Sequence, residues 1–256
     1  MKWHFMATMA TLGMTTFGAA MAATQGAADA AEIKVLSTNG VKAIIEELAP
    51  QFEKATGHKL VVTFGVTTAL QKDIEAGAPF DVTVLVASAT DDLIKQGKAK
   101  GPSAMIAKSG AGVAVKAGAP KPDIGTAEAF KRALLAAKSV AYTTQGTSGQ
   151  YFMTVLDRLG IAAEIRAKAK TQPGGAVAEL VARGEAEIAV QQISELLPIR
   201  GTDYVGPFPP ELQNYTAFTA ALGPSPKDAA AARAFIDFLT APSAVSVIKA
   251  KGMEPG

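Results

Sequence analysis

Ile33-Lys34-Val35-Leu36-Ser37-Thr38-Asn39-Gly40 is followed by Val41, Ile44, Ile45, Leu48 and Phe52 at helical spacing, then by Gly57. The stretch reads as a strand, a small polar loop, an amphipathic helix and its stop. The same unit then recurs twice. Leu60–Phe64 is a strand with a helix from about Thr67 to Ala76, closed by Gly77. Val82–Val86 is a strand with a helix over about Thr90–Gln96, closed by Gly97. Strand and helix alternating at this tempo predict βαβ units on a parallel sheet, an α/β fold.

Outward from this block the pattern breaks and restarts. Ala104–Val115 carries two β-like pieces around Ser109-Gly110-Ala111-Gly112 with no long helix between them. Beyond Gly118-Ala119-Pro120-Lys121-Pro122, Thr126 is placed to cap a helix carrying Phe130, Leu134 and Leu135. Val140–Tyr142 is a strand, and Tyr151, Phe152, Val155, Leu156 and Leu159 form a helix ended by Gly160. Val177, Leu180 and Val181 mark a short helix, and Ile188–Val190 a strand. After a Pro-rich passage at 206–210 come a last strand, Thr216–Ala220, and two helices, one with Phe235, Phe238 and Leu239, the other starting near Pro242. The closing block is too small for a core of its own, so it is expected to return to the first lobe across a hinge. The division expected is a leader at 1–31, one lobe from 32–108 and 204–256, and the other from 109–203.

Residues 1–31 carry an address. A basic start, Met1-Lys2-Trp3-His4, precedes an apolar stretch from Phe5 to Ala20 and small-x-small sites at Ala20-Met21-Ala22 and Ala28-Asp29-Ala30. That order is the layout of a cleaved secretory signal, so the expected location is the periplasm. The chain has 256 residues, a net charge of +2, no cysteine and two histidines, one of them in the leader. Thiolate chemistry is excluded, and a histidine-based metal site or triad would depend on His58 alone. No cofactor or metal is expected. The near-neutral charge, without clustered Lys and Arg, argues against nucleic acid. His58, in a helix-to-strand turn, reads as a surface residue, and Asp91-Asp92 as the acidic first turn of a helix.

In an open parallel sheet, ligands sit beyond the carboxyl ends of the strands. The loops there are small and polar: Ser37-Thr38-Asn39-Gly40, Gly65-Val66-Thr67-Thr68, the run Thr143–Gly149, Pro173-Gly174-Gly175, and Gln191-Gln192. The first four precede helices, whose free N–H groups and partial positive charge suit an anion. The same residues also suit ordinary N-caps, which need no ligand. Gly110-Ala111-Gly112 is followed by strand residues and makes no dinucleotide fingerprint. Gly146-Thr147-Ser148-Gly149 is no nucleophile elbow.

At these loops the sequence resembles the periplasmic molybdate-binding protein family, type II solute-binding proteins of ABC importers. The matching stretches are 33–40, 63–70, Ile74-Glu75-Ala76-Gly77-Ala78-Pro79-Phe80-Asp81, Ser148-Gly149-Gln150-Tyr151, Gly184-Glu185-Ala186-Glu187-Ile188-Ala189-Val190, and the closing Gly252-Met253-Glu254-Pro255. The resemblance implies two α/β lobes with a hinge and a central cleft. It places ligand contacts on Gly40, Thr67, Ser148, Gly174 and Gln192, with Asn39 and Thr68 beside them. Two positions depart from the family: Gly40 replaces a serine and Gln192 a tyrosine. A site so altered is wider and suits a di- or tricarboxylate as well as an oxyanion. The expected function is capture of a small anion by a monomer that partners the membrane component of an ABC importer. An aconitate isomerase is similar to this branch, so the alternative is a cofactor-independent proton shift. Its base would be Lys42, Tyr151 or Glu195.

Overall fold

The computed structural model describes Met1 and residues 30–256. The predicted signal and its small-x-small sites lie, apart from Met1 and Ala30, outside the described residues. The first block runs β1 (Glu32–Thr38), α1 (Lys42–Thr56), β2 (Lys59–Gly65), α2 (Thr67–Glu75), β3 (Val82–Val86) and α3 (Ala87–Lys95). Gly57 and Gly77 end α1 and α2 with positive φ, a backbone that a residue with Cβ rarely adopts. β4 (Lys100–Lys116) leads to α4 (Ala127–Ala136), β5 (Val140–Thr143), α5 (Thr147–Leu159), α6 (Ala162–Ala167), β6 (Ala169–Gln172), α7 (Ala178–Ala182), β7 (Ile188–Gln192) and α8 (Ile193–Leu196). β8 (Thr202–Pro207), β9 (Tyr215–Leu222), α9 (Ala229–Thr240), α10 (Val245–Ala250) and β10 (Glu254–Pro255) complete the chain.

The strands form one mixed sheet in the order β2-β1-β3-β9-β4-β7-β5-β6, with β8 and β10 also on β4. β1 pairs parallel with β2 and β3, and β5 pairs parallel with β6 and β7. The two-lobed α/β architecture expected from the alternation is present. The two β-like pieces expected at 104–115 are one strand, with correction at its centre. The first part of β4 pairs with β9 up to Gly110, and the remainder with β7 and β8 from Ala111 or Gly112 onward. Its small residues at 110–112 permit that change of partner: a Cβ on Gly110 would lie 3.0 Å from Gln213, and one on Gly112 2.9 Å from Tyr204. Gln213 grips this junction, accepting from Ala111 N and donating to Ala111 O, both at 2.9 Å.

β9, α9 and α10 share a core with β1 and α1, in which Phe52 meets Phe235 and Phe238 at centroid distances of 5.1 and 5.5 Å. The boundary expected at 204 falls inside β8, which pairs with the second half of β4. Phe208 and Leu212 also pack in the second lobe, so the chain crosses back only near Gln213. Two expectations about single residues need correction. Asp91-Asp92 lies within α3, which starts at Ala87, because small residues at 87–89 continue the helix backward. His58 is buried, its Nδ1 accepting from Ala31 N at 3.1 Å while its ring lies near Phe52. α6, β6 and β8, too short or polar to show periodicity, had no counterpart in the sequence reading.

Thr126 does cap α4, its hydroxyl accepting from Ala129 N at 3.1 Å. Thr126→Ala should therefore lower the unfolding free energy by about 1 kcal/mol. A urea midpoint unchanged from the parent would contradict that role.

Candidate functional site

The strand ends converge on one cavity between the lobes, with about 350 Å³ of space between its walls including the part open to solvent. The first lobe contributes Thr38, Asn39 and Gly40 after β1, Val66 and Thr67 after β2, and Phe218 from β9. The second contributes Thr143, Gly146 and Thr147 around the start of α5, Gly174 and Gly175 after β6, and Gln191, Gln192 and Glu195 around α8. The lobes meet over it: Ser194 Oγ donates to Gly40 O at 2.7 Å, and Val66 packs so close to Gly174 that a Cβ there would lie 2.5 Å away.

Among the described residues, no lysine or arginine lines this cavity. Its positive character comes from backbone. The helices that begin at its wall, α1 (through a 3-10 turn at Asn39–Val41), α2 and α5, have no side chain capping their first N–H groups. α4 and α9, which begin elsewhere, are capped by Thr126 and Asp228; α3, also elsewhere, is uncapped. The polar residues before α1 and α2 are therefore not acting as N-caps. Open helix starts at a shared wall offer donors and partial positive charge to an anion.

Hydroxyl groups add to this. Thr67 Oγ1 donates to Thr38 Oγ1 at 3.1 Å, which leaves the Thr38 hydrogen available. Thr143 is only 2% exposed, and its Oγ1 has no hydrogen-bond partner. A buried hydroxyl without a partner costs about 1–3 kcal/mol, which a ligand accepting its proton would recover. Two glycines make room for it: a Cβ at Gly146 would fall 2.4 Å from Thr143 Oγ1, and one at Gly149 1.7 Å from Thr143 O.

Among the described residues, Glu195 is the one titratable side chain in this lining. Desolvation by burial pushes its carboxyl from the ordinary 4.5 up to about 8, against hydrogen bonds from the Gln191 side chain and the Gln192 backbone that pull it down. Gln191 is itself fixed. Its Oε1 accepts from Val177 N at 3.1 Å, and its Nε2 donates to Gly175 O at 2.7 Å and to Glu195 Oε1 at 2.9 Å.

Of the residues expected from the sequence, Asn39, Gly40, Thr67, Gly174, Gln192 and Glu195 come together in the lining. Gly40 lacks a side chain for a steric reason: a Cβ there would lie 2.5 Å from Phe218 Cζ. Gln192 faces the cavity with its amide committed elsewhere. In the orientation that satisfies its surroundings, Nε2 donates to Ser109 O and Gly110 O at 3.0 and 3.2 Å, and Oε1 accepts from Thr216 Oγ1 at 2.8 Å. Ser148 is buried one residue into α5 and leaves the wall to Thr147. Thr68 lies outside, in a groove at the rim with Lys72, Gln145 and Gln150. Lys42 lies in an adjoining pocket, its Nζ 3.6 Å from Glu46 and 5.6 Å from the Phe64 ring centre. Tyr151 lies outside the lining: its hydroxyl donates to Leu212 O at 2.9 Å, beside the second-lobe core. Thr38, Thr143, Gln191 and Phe218 were not singled out from sequence. The alternation of β1 and β5 leaves a threonine at each carboxyl end, a signal that could have marked the first two.

Residues 33–254 match the family described as bacterial extracellular solute-binding protein. The chain belongs to that family. An aconitate isomerase from a Pseudomonas species is 37% identical over 230 residues, 87% of each chain. A molybdate-binding protein of Azotobacter vinelandii is 31% identical over 241 residues, 88% of this chain and 91% of that one. The solved periplasmic molybdate-binding protein of Azotobacter vinelandii superposes with a TM-score of 0.74 at 24% identity, covering 88% of this chain and 99% of its own, and shares the fold. The likeness to molybdate-binding proteins read from the loops holds across the chain, and this family fold supports the binding of a small anion.

Proposed function

We propose that this protein is exported to the periplasm and captures a small di- or tricarboxylate in its interlobe cavity for delivery to an ABC importer. The observation that carries the reading is a wall of open helix starts and an unpartnered buried Thr143 hydroxyl, with no side-chain cation. Such a wall binds anions through neutral donors, and charge-assisted bonds of this kind are strong where water is scarce. Asn39, Gly40, Thr67 and Gly174 are the expected residues that this reading retains as contacts, with Thr38, Thr143 and Thr147 added, while Gln192 shapes the wall with its amide committed to Ser109, Gly110 and Thr216. A carboxylate ligand is favoured over a bare oxyanion by Glu195, whose neutral carboxyl can pair with a ligand carboxylate. Gly40 also supplies no hydroxyl where the molybdate-binding pattern has a serine, which leaves Thr38 as the hydroxyl of the first loop that lines the cavity.

Thermal melts against molybdate, tungstate, sulfate, phosphate, citrate, both aconitates and tricarballylate test this. A polycarboxylate at about 100 times its Kd should add roughly 2.7 kcal/mol of stability. Stabilisation by molybdate and tungstate alone would replace the carboxylate by an oxyanion, and stabilisation by sugars or amino acids alone would end the anion reading.

A second reading, isomerisation of the captured polycarboxylate, is supported by a specific observation: a relative 37% identical is an aconitate isomerase. Chromatography of trans-aconitate incubated with the mature protein separates the two, since a carrier returns its ligand unchanged.

A further inference from the structure

The cavity has a neighbour. A solvent-open vestibule of about 620 Å³ lies between α1 and the α7–α8 region and is lined by Lys42, Glu46, Glu179, Ser194 and Pro198, among others. Asn39, Gly175 and Glu195 line both spaces. Of these three only Glu195 is an acid–base group, so the one ionisable side chain that lines the cleft among the described residues also borders the solvent-open vestibule. The charged groups beside it are paired: Lys42 with Glu46 at 3.6 Å, and Glu179 with Arg183 at 3.7 Å. Among the other elements packed against α8, β8 places Tyr204 in the apolar cluster that holds Leu196.

We propose that the Glu195 carboxyl is the acid–base group of this cleft, shifting one proton between two carbons of a bound unsaturated polycarboxylate and renewing it from the vestibule. The inference rests on the reading above that the cleft holds such a ligand. Three features support it. A carboxylate facing an anion, with the nearby Lys42 paired to Glu46, is poised to hold or take a proton. Its position near pH 8 lets both forms exist close to neutrality, as a group that must act as base and then acid requires. Gln191, fixed at both ends of its amide, aims one carboxyl oxygen and acts as a positioning residue.

The step balances without an added reactant. Ionised Glu195 takes a proton from the methylene carbon next to the double bond. The C–H electron pair becomes the new C=C bond, and the displaced π pair takes a proton from Glu195 at the far carbon, either the one removed or one that Glu195 has exchanged with water in the vestibule. Glu195 ends ionised as it began. One carboxyl serving both carbons moves the proton along a single face of the ligand.

The test is incubation of the mature protein with trans-aconitate in deuterium oxide, followed by proton NMR, with calorimetry measuring binding in parallel. The parent should interconvert the isomers and lose proton signal to deuterium, at a rate that rises with pH, is half-maximal near 8 and levels off above it. Glu195→Gln should lower that rate at least ~100-fold and leave Kd within about fivefold, as the amide can still donate to the ligand. Glu195→Asp should keep a measurable fraction of the rate, with circular dichroism reporting the fold of both variants. Binding by the parent without conversion or exchange would overturn the proton shift and leave capture standing. Exchange by Glu195→Gln at the parent's rate would overturn the assignment of Glu195. If no polycarboxylate binds, the underlying reading falls and the proposal with it.

Discussion

Gly149→Ala is expected to destabilise the protein by more than about 3 kcal/mol, the upper range for overpacking. The added carbon would sit 1.7 Å from Thr143 O and 2.7 Å from Thr143 Oγ1. The first of these is backbone at the end of β5, where Thr143 pairs with Gln172 of β6. Relief therefore requires either the strand end or the start of α5 to move, and neither is a side chain that can rotate away. The same movement displaces the Thr143 hydroxyl and the open N–H groups of α5, so ligand affinity should fall together with stability. Gly125→Ala is the control, since its nearest neighbour, Asp123 Oδ1, lies at an ordinary 3.4 Å. Urea unfolding at constant m measures the difference. A Gly149→Ala midpoint close to that of Gly125→Ala would show that α5 is not seated against β5 in this way.

The strand–helix units of the first block were legible because each has a clear apolar period and a glycine stop. β3 spans Val82–Val86 in both readings, and α1 ends at the glycine that the sequence marks. What stayed illegible is set by long-range contact. β4 looks like two pieces because its middle is small and polar, yet it is continuous, since Gly110, Ala111 and Gly112 let β9, β7 and β8 pack on it closely. β8 is short and runs into the Pro-rich passage at 206–210, and its pairing with β4 is what makes it a strand.

At the site, sequence located the loops better than the atoms. Asn39, Gly40, Thr67 and Gly174 line the cavity because loops at strand ends must lie at the sheet's edge. Ser148 and Tyr151 fail through helical rotation: the turn that turns Thr147 to the cavity buries Ser148 and carries Tyr151 to Leu212. Gln192 shows a different limit. Its place in the lining follows from β7, but the commitment of its amide to Ser109, Gly110 and Thr216 depends on segments distant in sequence. The opposite surprise is Glu195, one of three candidate bases by sequence, whose desolvation no local pattern reveals.

That desolvation gives the last prediction, a loss of stability in mild alkali. The Glu195 carboxyl titrates near 4.5 when unfolded and is pushed up to about 8 by burial in the folded chain. Between those values the folded chain holds a proton that the unfolded chain has released. The associated stability is complete below about 4.5, declines through the window, and is lost as pH rises past about 8. Contact with solvent at the vestibule moderates the effect, so the expected fall between pH 5 and pH 9 is roughly 2–4 kcal/mol. Glu53 and Glu211 act elsewhere on the scale. Backbone N–H groups of Leu60 and Ala127 hold their carboxyls below the ordinary value, so their contribution is lost only as pH falls through the acid range. Tyr142 and Tyr204 are raised by burial and lie above the window. Glu195→Gln removes the titrating group and keeps its shape, so the variant should show a flatter profile and exceed the parent in stability at pH 9. Urea midpoints measured from pH 5 to pH 9 for both proteins decide it. A parent that is as stable at pH 9 as at pH 5, or a variant that keeps the parent's slope, would mean that Glu195 is solvated and ionised. The cleft would then carry a fixed negative charge that weakens the binding of an anion.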